Sequence, residues 1–439
     1  MKISKVIGRE IFDSRGYPTV ECELTLEGSK LDNNMLNGES FDSDSPKIQD
    51  NPITVTASVA AGKSTGKYEA VELRDGKKRL DGKGVIKAVR NLENIIGPAL
   101  IGKEPDIISL DVEMLELDGT DNKSNLGANT ILAASLAILK AQAMDRQLEI
   151  YELVAHLCKL NAVSIPIPFF NFINGGMHAN NKIDMQEFLI IPTEQHTFRS
   201  CMELAAELFY NLKSILKEKN LGTCIGDEGG FAPQLSHEKE VLDILMLAIE
   251  KTTNIRGEFT IAIDVAASTL YDSKTKKYSI SGKKYTGSAL CQYYEELISN
   301  YPIIALEDPF DQDDLDSWKE FTTNFGTKIQ IIGDDLFATN PDRISNLAPE
   351  MLANSAIIKP NQIGTVTETL QAILTCKENG LDTIISHRSG ETCESIIADI
   401  AIGTQAGQIK AGGLNRGERL AKYNRLLRVE DKLTMEALQ

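Results

Sequence analysis

The sequence predicts an α/β protein: a C-terminal barrel of the (β/α)8 type, preceded by a smaller α+β N-terminal domain. Three observations carry that prediction. In the C-terminal part, short apolar segments end one after another in a polar side chain. Those ends recur at a nearly constant spacing. The first 155 residues lack this rhythm.

From about Ser164 onward the apolar segments are Phe259–Asp264, Ile303–Glu307, Ile329–Asp334, Ala356–Lys359, Thr383–His387 and Gln408–Lys410. The last five end at positions 307, 334, 359, 387 and 410, with helical stretches such as Thr365–Asn379 and Thr392–Thr404 between them. That is the period of successive βα units. The simplest closed arrangement is a barrel of parallel strands ringed by helices, whose active site sits at the C-terminal strand ends. Asp264, Glu307, Asp334, Lys359, His387 and Lys410 therefore gather around one mouth. One strand-end polar residue often does no more than face water. Six in succession, three carboxylates followed by two lysines and a histidine, fit a site better.

The N-terminal part opens with strand-like Thr19–Leu26, whose alternation suits a half-buried strand. Glu27–Pro52 follows, rich in Asn, Asp, Ser and Gly and without periodicity, and reads as an exposed insertion. Thr54–Val59 is the returning strand. Helical patterns cover Gly84–Ile96, Ile107–Leu117 and Asn129–Asp145.

The net charge of −17 argues against nucleic acid as the main ligand. A few basic groups in one cleft still suffice for a small anion, the more so with metal ions present. The seven cysteines are odd in number and show no C-x-x-C spacing, which reads as reduced thiols in a cytoplasmic protein. Met1–Glu10 alternates apolar and charged residues, unlike a signal peptide, and no apolar run reaches the ~18 residues of a membrane span. Ile131–Leu139 is better read as part of a buried helix.

Three converging carboxylates suit a hard divalent cation, without choosing between Mg²⁺, Mn²⁺ and Ca²⁺. Lys359 beside bound metal and other cations has its ammonium form disfavoured, which makes it a usable base. Gly226-Asp227-Glu228-Gly229-Gly230 sets an acid among glycines, so Glu228 is a candidate general acid. Asn174-Gly175-Gly176-Met177-His178 is a similar tight loop, followed by Gln186-Glu187. His387-Arg388-Ser389-Gly390 offers a guanidinium, a hydroxyl and backbone donors to one anion.

Taken together, FINGGMHANNKIDMQEF, GDEGGFAPQL, AIDVAAS, LEDPFDQDD, IGDDLFATN, IIKPNQIGT, SHRSGET and GQIKAGGLNRGERLAKYNRLLR resemble enolase in order and spacing. REIFDSRGYPTVE and LDGTDNKSNLGANTIL do so in the N-terminal part. The resemblance spans the chain except the Glu27–Pro52 insertion. It implies domains at 1–155 and 160–439, with atypical first units in the barrel. It implies reversible conversion of 2-phosphoglycerate to phosphoenolpyruvate and water, in glycolysis and gluconeogenesis.

By the same resemblance, Asp264, Glu307 and Asp334 are expected to hold one Mg²⁺. Lys359 is expected to remove the proton next to the carboxylate. Glu228 is expected to protonate the departing hydroxyl, supported by Glu187, with His178 a further catalytic residue in contact with substrate. Arg388 and Ser389 are expected to bind phosphate, with Gln186, His387 and Lys410 as further substrate contacts. A homodimer is implied, with Arg9, Glu21, Glu418 and Arg428 at positions of cross-subunit ion pairs. The rival readings are another acid-sugar lyase of the same superfamily and an impaired homologue.

The lid loop departs from the family. Where enolases read Pro-Ser-Gly-Ala-Ser-Thr-Gly, this chain has Ala60-Ala61-Gly62-Lys63-Ser64-Thr65-Gly66. The family serine replaced by Ala61 helps ligate a second Mg²⁺, so that site is expected to be weakened or altered. Three outcomes are open: Ser64 or water replaces the lost ligand, the Lys63 ammonium stands in for part of the metal's charge, or Lys63 points to solvent.

Overall fold

A computed structural model describes residues 1–28, 52–76, 78–193, 197–252 and 259–437. The insertion expected at Glu27–Pro52 lies, apart from its ends, outside the described residues.

The N-terminal strands form one antiparallel sheet in the order β1 (Lys2–Phe12), β2 (Pro18–Glu27) and β3 (Ile53–Ser58). The alternation at Met1–Glu10 becomes β1, and the two expected strands fall within a residue of β2 and β3. On β2 the alternate residues Val20, Cys22, Leu24 and Leu26 are fully buried. The helix Ala128–Asp145 packs on β2 and β3 and is buried on nearly every side. Its alanines let the backbone lie close to the sheet. The helix Ile107–Asp118 begins where the Asp106 side chain accepts the Ser109 N–H at 3.0 Å, and it stops at Gly119, whose φ of 68° suits glycine.

The barrel strands are β4 (Ile167–Asn174), β5 (Glu187–Pro192), β6 (Phe259–Asp264), and β10 (Ile303–Glu307) to β14. Between them, β7 (Tyr271–Asp272), β8 (Lys277–Ile280) and β9 (Lys283–Tyr285) make a small separate sheet. The others are β11 (Gln330–Gly333), β12 (Ser355–Ile358), β13 (Asp382–Ser386) and β14 (Gly407–Gly412). The barrel closes in the order β10-β11-β12-β13-β14-β4-β5-β6.

One strand departs from the all-parallel expectation: β5 runs antiparallel to both β4 and β6. The physical reason is the connection before it. Residues 175–186 hold no α-helix, only the short turn Gly176–His178, and a parallel return usually needs a helical crossover. The helix expected from Thr392 starts only at Ile396. Before it, the Thr392 hydroxyl bonds Ser58 Oγ at 2.8 Å and the Thr392 carbonyl accepts Lys422 Nζ at 2.8 Å, contacts that hold the chain out of helix.

Phe169, Leu189, Ile191, Ala262, Ala305, Ile332, Ile357 and Ile384 form their own buried cluster. They come from seven of the eight strands and fill the barrel, so it is a packed core without a channel. Each large side chain buried there contributes about 1.5–3 kcal/mol. The two domains meet through specific bonds. The Thr367 N–H donates to Asp111 Oδ2 at 2.9 Å, and Lys123 Nζ reaches Glu368 at 2.8 Å. Ala61 and Gly390 exchange backbone bonds of 2.8 and 2.9 Å. That last bridge brings the lid loop to the barrel mouth.

Candidate active site

Strand register builds the rim. Asp264, the last residue of β6, lies opposite Glu307 of β10 on one side and Glu187 of β5 on the other. Lys410 of β14 is opposite Ser386, next to His387. Glu187 is the first residue of β5, and the reversal of that strand is what puts it at the mouth. All six strand-end residues read from the sequence gather here, together with Gln186, Glu187, His178 and Glu228. A pocket of about 530 Å³ is lined by every one of these except Glu307, which is buried beside Asp264.

Lys410 Nζ sits among three carboxylates, 2.7 Å from Glu307, 2.9 Å from Asp264 and 3.1 Å from Glu187. Burial alone would lower its pKa, but those carboxylates outweigh it and hold the ammonium well above its usual range. Lys359 pairs with Asp334, which also accepts Gln362 Nε2 at 2.9 Å. The fall expected for the Lys359 pKa belongs to the site with metal bound. Burial does push it down, yet the bare Asp334 carboxylate outweighs burial and raises it.

Glu228 faces two imidazoles: His178 Nδ1 at 3.3 Å and His387 Nε2 at 3.7 Å, both from Glu228 Oε2. Its carboxyl is hydrogen-bonded to that of Glu187. Burial, then the charge of Glu228, holds Glu187 well above the usual carboxyl range. Burial also acts to raise Glu228, but the nearer imidazole, that of His178, and the hydrogen bond with Glu187 act to lower it.

Arg388 is buried and closes the other side. It donates to Glu69 at 3.1 and 3.2 Å, to Asn361 Oδ1 at 3.3 Å and to the Ser64 carbonyl of the lid at 2.9 Å. Gly62 lies so close that an added Cβ would stand 1.8 Å from Arg388 Nη2, which accounts for glycine there. Ser389 Oγ accepts from Arg15 at 3.2 Å. In the lid, Ala61 is fully buried, and its carbonyl accepts from the Gly390 N–H at 2.9 Å and from Arg15 at 3.1 Å. The Lys63 side chain is partly exposed to solvent, and its Nζ pairs with Asp227 at 2.8 Å rather than with the rim carboxylates.

Models of two protein-family domains match the chain: "Enolase, N-terminal domain" over residues 3–154 and "Enolase, C-terminal TIM barrel domain" over residues 162–439. The chain belongs to the enolase family.

Enolases typically use Mg²⁺, and the residues here fit a divalent cation. The pocket is lined by seven carboxylates (Glu69, Glu187, Glu228, Asp264, Asp308, Asp334, Asp335) against four side-chain cations (Lys63, Lys359, Arg388, Lys410). Glu307 Oε1 is buried without a hydrogen-bond partner. Burial and the Asp264 charge push the Glu307 pKa up to about 8. An oxygen-rich rim of this kind suits a hard divalent cation. Asp308, Asp334 and Asp335 each bring an oxygen within 4.8 Å of the others, but Asp308 is committed to the backbone N–H groups of Asp334 (2.8 Å) and Asp335 (3.0 Å). Asp308 therefore positions the loop that carries Asp334.

Several residues of this enolase-family site escaped sequence reasoning. Glu69 holds Arg388. Asn171 donates to Glu187 at 2.7 Å. Arg15 and Arg419 brace the loop at 387–389 from outside the barrel strands. Arg419 lay inside the recognised segment GQIKAGGLNRGERLAKYNRLLR, so its place there was the available signal.

Proposed function

We propose that this chain catalyses the reversible dehydration of 2-phosphoglycerate to phosphoenolpyruvate. The observation that carries the proposal is that Lys359, at the end of β12, and Glu228, held against β14 by the Gly413 N–H bond to its carbonyl at 2.8 Å, line one pocket from separate sectors of the rim. Dehydration needs both: a base for the proton next to the carboxylate and an acid for the hydroxyl one carbon away.

Asp264, Glu307 and Asp334 would hold Mg²⁺, which when bound supplies positive charge to the substrate carboxylate as electrons accumulate there. Lys359, as the neutral amine, takes the proton next to the carboxylate. Glu228, beside Glu187, gives a proton to the leaving hydroxyl. Arg388 and Ser389 grip the phosphate and Lys410 adds charge beside the carboxylate. His178, Gln186 and His387 complete the contacts. The Arg388–Ser389 pair favours a phosphorylated substrate over an unphosphorylated sugar acid.

We further propose domains at 1–155 and 160–439, a cytoplasmic setting in glycolysis and gluconeogenesis, and a homodimer. The described cysteines are all free, which suits a reducing compartment. Phe12 is 59 % exposed on a face shared with Glu21, Cys393 and Glu418, a surface fit for a second copy. Within one chain, Arg9 already pairs with Glu21 (3.3 Å) and Glu23 (2.6 Å), and Glu418 with Arg416 (2.6 Å), so dimer formation would rearrange them. Among the described residues no helix is long and apolar enough to cross a membrane.

The test is direct. The purified chain with Mg²⁺ is given 2-phosphoglycerate and the rise in ultraviolet absorbance of phosphoenolpyruvate is followed. Turnover is expected, and its absence across all Mg²⁺ concentrations overturns the proposal.

A further inference from the structure

Arg419, in the first turn of the helix Gly417–Ala437, is fully buried, and its guanidinium is spent on the loops of the active site. Nη1 reaches His387 Nδ1 at 2.6 Å and the Arg388 carbonyl at 2.6 Å. Nη2 donates to the Asp227 carbonyl at 3.0 Å and the Ser389 carbonyl at 2.7 Å. A guanidinium has donors only. At 2.6 Å, His387 Nδ1 must therefore offer a lone pair, and the ring proton must sit on Nε2. That nitrogen lies 3.7 Å from Glu228 Oε2, and His178 Nδ1 lies 3.3 Å from the same oxygen. All three atoms are buried and without a hydrogen-bond partner. All three residues line the pocket.

The charged groups facing the ring are Glu228 from the glycine-rich loop, Arg419, Lys410 from β14 and Lys359 beyond β12. Three of the four are cations, so a second proton on the ring is opposed from three elements. We propose that Arg419 is a positioning residue: it fixes His387 as the neutral Nε2–H form, so that His387 enters the reaction only as a donor to the oxygen departing beside Glu228. In the other tautomer a lone pair would face both Glu228 and that oxygen, and the leaving group would be repelled.

The role in turnover rests on the dehydratase reading, but the tautomer does not, and the experiment separates them. The full chain is labelled with ¹⁵N-histidine and the side-chain ¹⁵N–¹H spectrum is recorded. The sequence has five histidines, and His387→Asn assigns the relevant signals. The wild type is expected to show His387 protonated on Nε2 alone and unchanged over about pH 6 to 8. Arg419→Gln is expected to give mixed tautomers and a titrating ring. Its kcat should fall at least about tenfold with KM moved less, and Arg419→Lys should restore part of it. A wild-type His387 carrying its proton on Nδ1, or on both nitrogens, overturns the proposal even if Arg419→Gln does not fold. So does an Arg419→Gln spectrum identical to the wild type. A wild type without turnover but with the stated tautomer overturns only the substrate reading.

Discussion

Lys63 Nζ lies 2.8 Å from Asp227 Oδ2, so the lid loop is tied to the residue immediately before Glu228. Both side chains are about a third exposed, at 37 % and 32 %, and a pair so placed contributes up to about 1 kcal/mol. Lys63→Ala and Asp227→Asn are each expected to raise KM by no more than about fivefold and to leave kcat unchanged. The difference from wild type should vanish at high salt. Steady-state kinetics at two ionic strengths check this. A changed Mg²⁺ requirement in Lys63→Ala would instead place the ammonium at the metal.

Ala61 bears on the metal more directly. Its carbonyl is occupied by Gly390 and Arg15, and its side chain has no ligand atom to offer. We expect EDTA to abolish turnover and Mg²⁺ to restore it. Ala61→Ser should lower the Mg²⁺ concentration needed for half-maximal rate. Equal titration curves for the two chains would show that this position does not meet a second ion.

The division of labour between Lys359 and Glu228 predicts two different defects. Lys359→Ala should lose both dehydration and exchange of the substrate proton with deuterated water, by at least about a hundredfold. Glu228→Gln should lose dehydration while retaining part of the exchange, because the base is intact. Proton NMR of 2-phosphoglycerate in D₂O with each variant measures the exchange. Equal loss of exchange in both would contradict separate roles.

Asp111 gives a pH prediction away from the chemistry. Burial pushes its carboxyl up to about 6 from 3.8, because it is enclosed where the helices Ile107–Asp118 and Val366–Glu378 meet. Between those values the folded state keeps a proton that the unfolded chain releases, so stability falls as pH rises through the window. Above about pH 6 the buried charge costs up to about 3 kcal/mol. Asp111→Asn should flatten that fall, as measured by urea unfolding at several pH values. An unchanged slope would show that Asp111 is ionised at no cost.

Most of the barrel was legible because a parallel strand presents its last residue at the mouth, and apolar runs ending in Glu307, Asp334, Lys359, His387 and Lys410 mark those ends directly. Glu187 broke the rule, since it begins its strand, and only the resemblance singled it out. The destination of Lys63 was illegible because its partner lies 164 positions away and the loop's path decides which carboxylate it meets. Arg419 was hidden for a similar reason. Its position in a basic C-terminal helix reads as a solvated face, and burial follows only from how that helix packs under the 387–389 loop. The setting of Glu228 depended on two imidazoles brought together from positions 178 and 387, a juxtaposition no local pattern encodes.

The hairpin of β4 and β5 has one more consequence, for the order of assembly. Its strands are neighbours in sequence and can pair early, at little loop-closure cost. The seam between β14 and β4 joins Lys410 to Phe169 across most of the barrel sequence. That joint is the slow one to make. Lys410 on one lip must meet Glu187 on the other, so a nascent chain is inert until the final stave is seated. A lesion at the seam should therefore yield well-structured protein whose refolding lags and whose activity returns last.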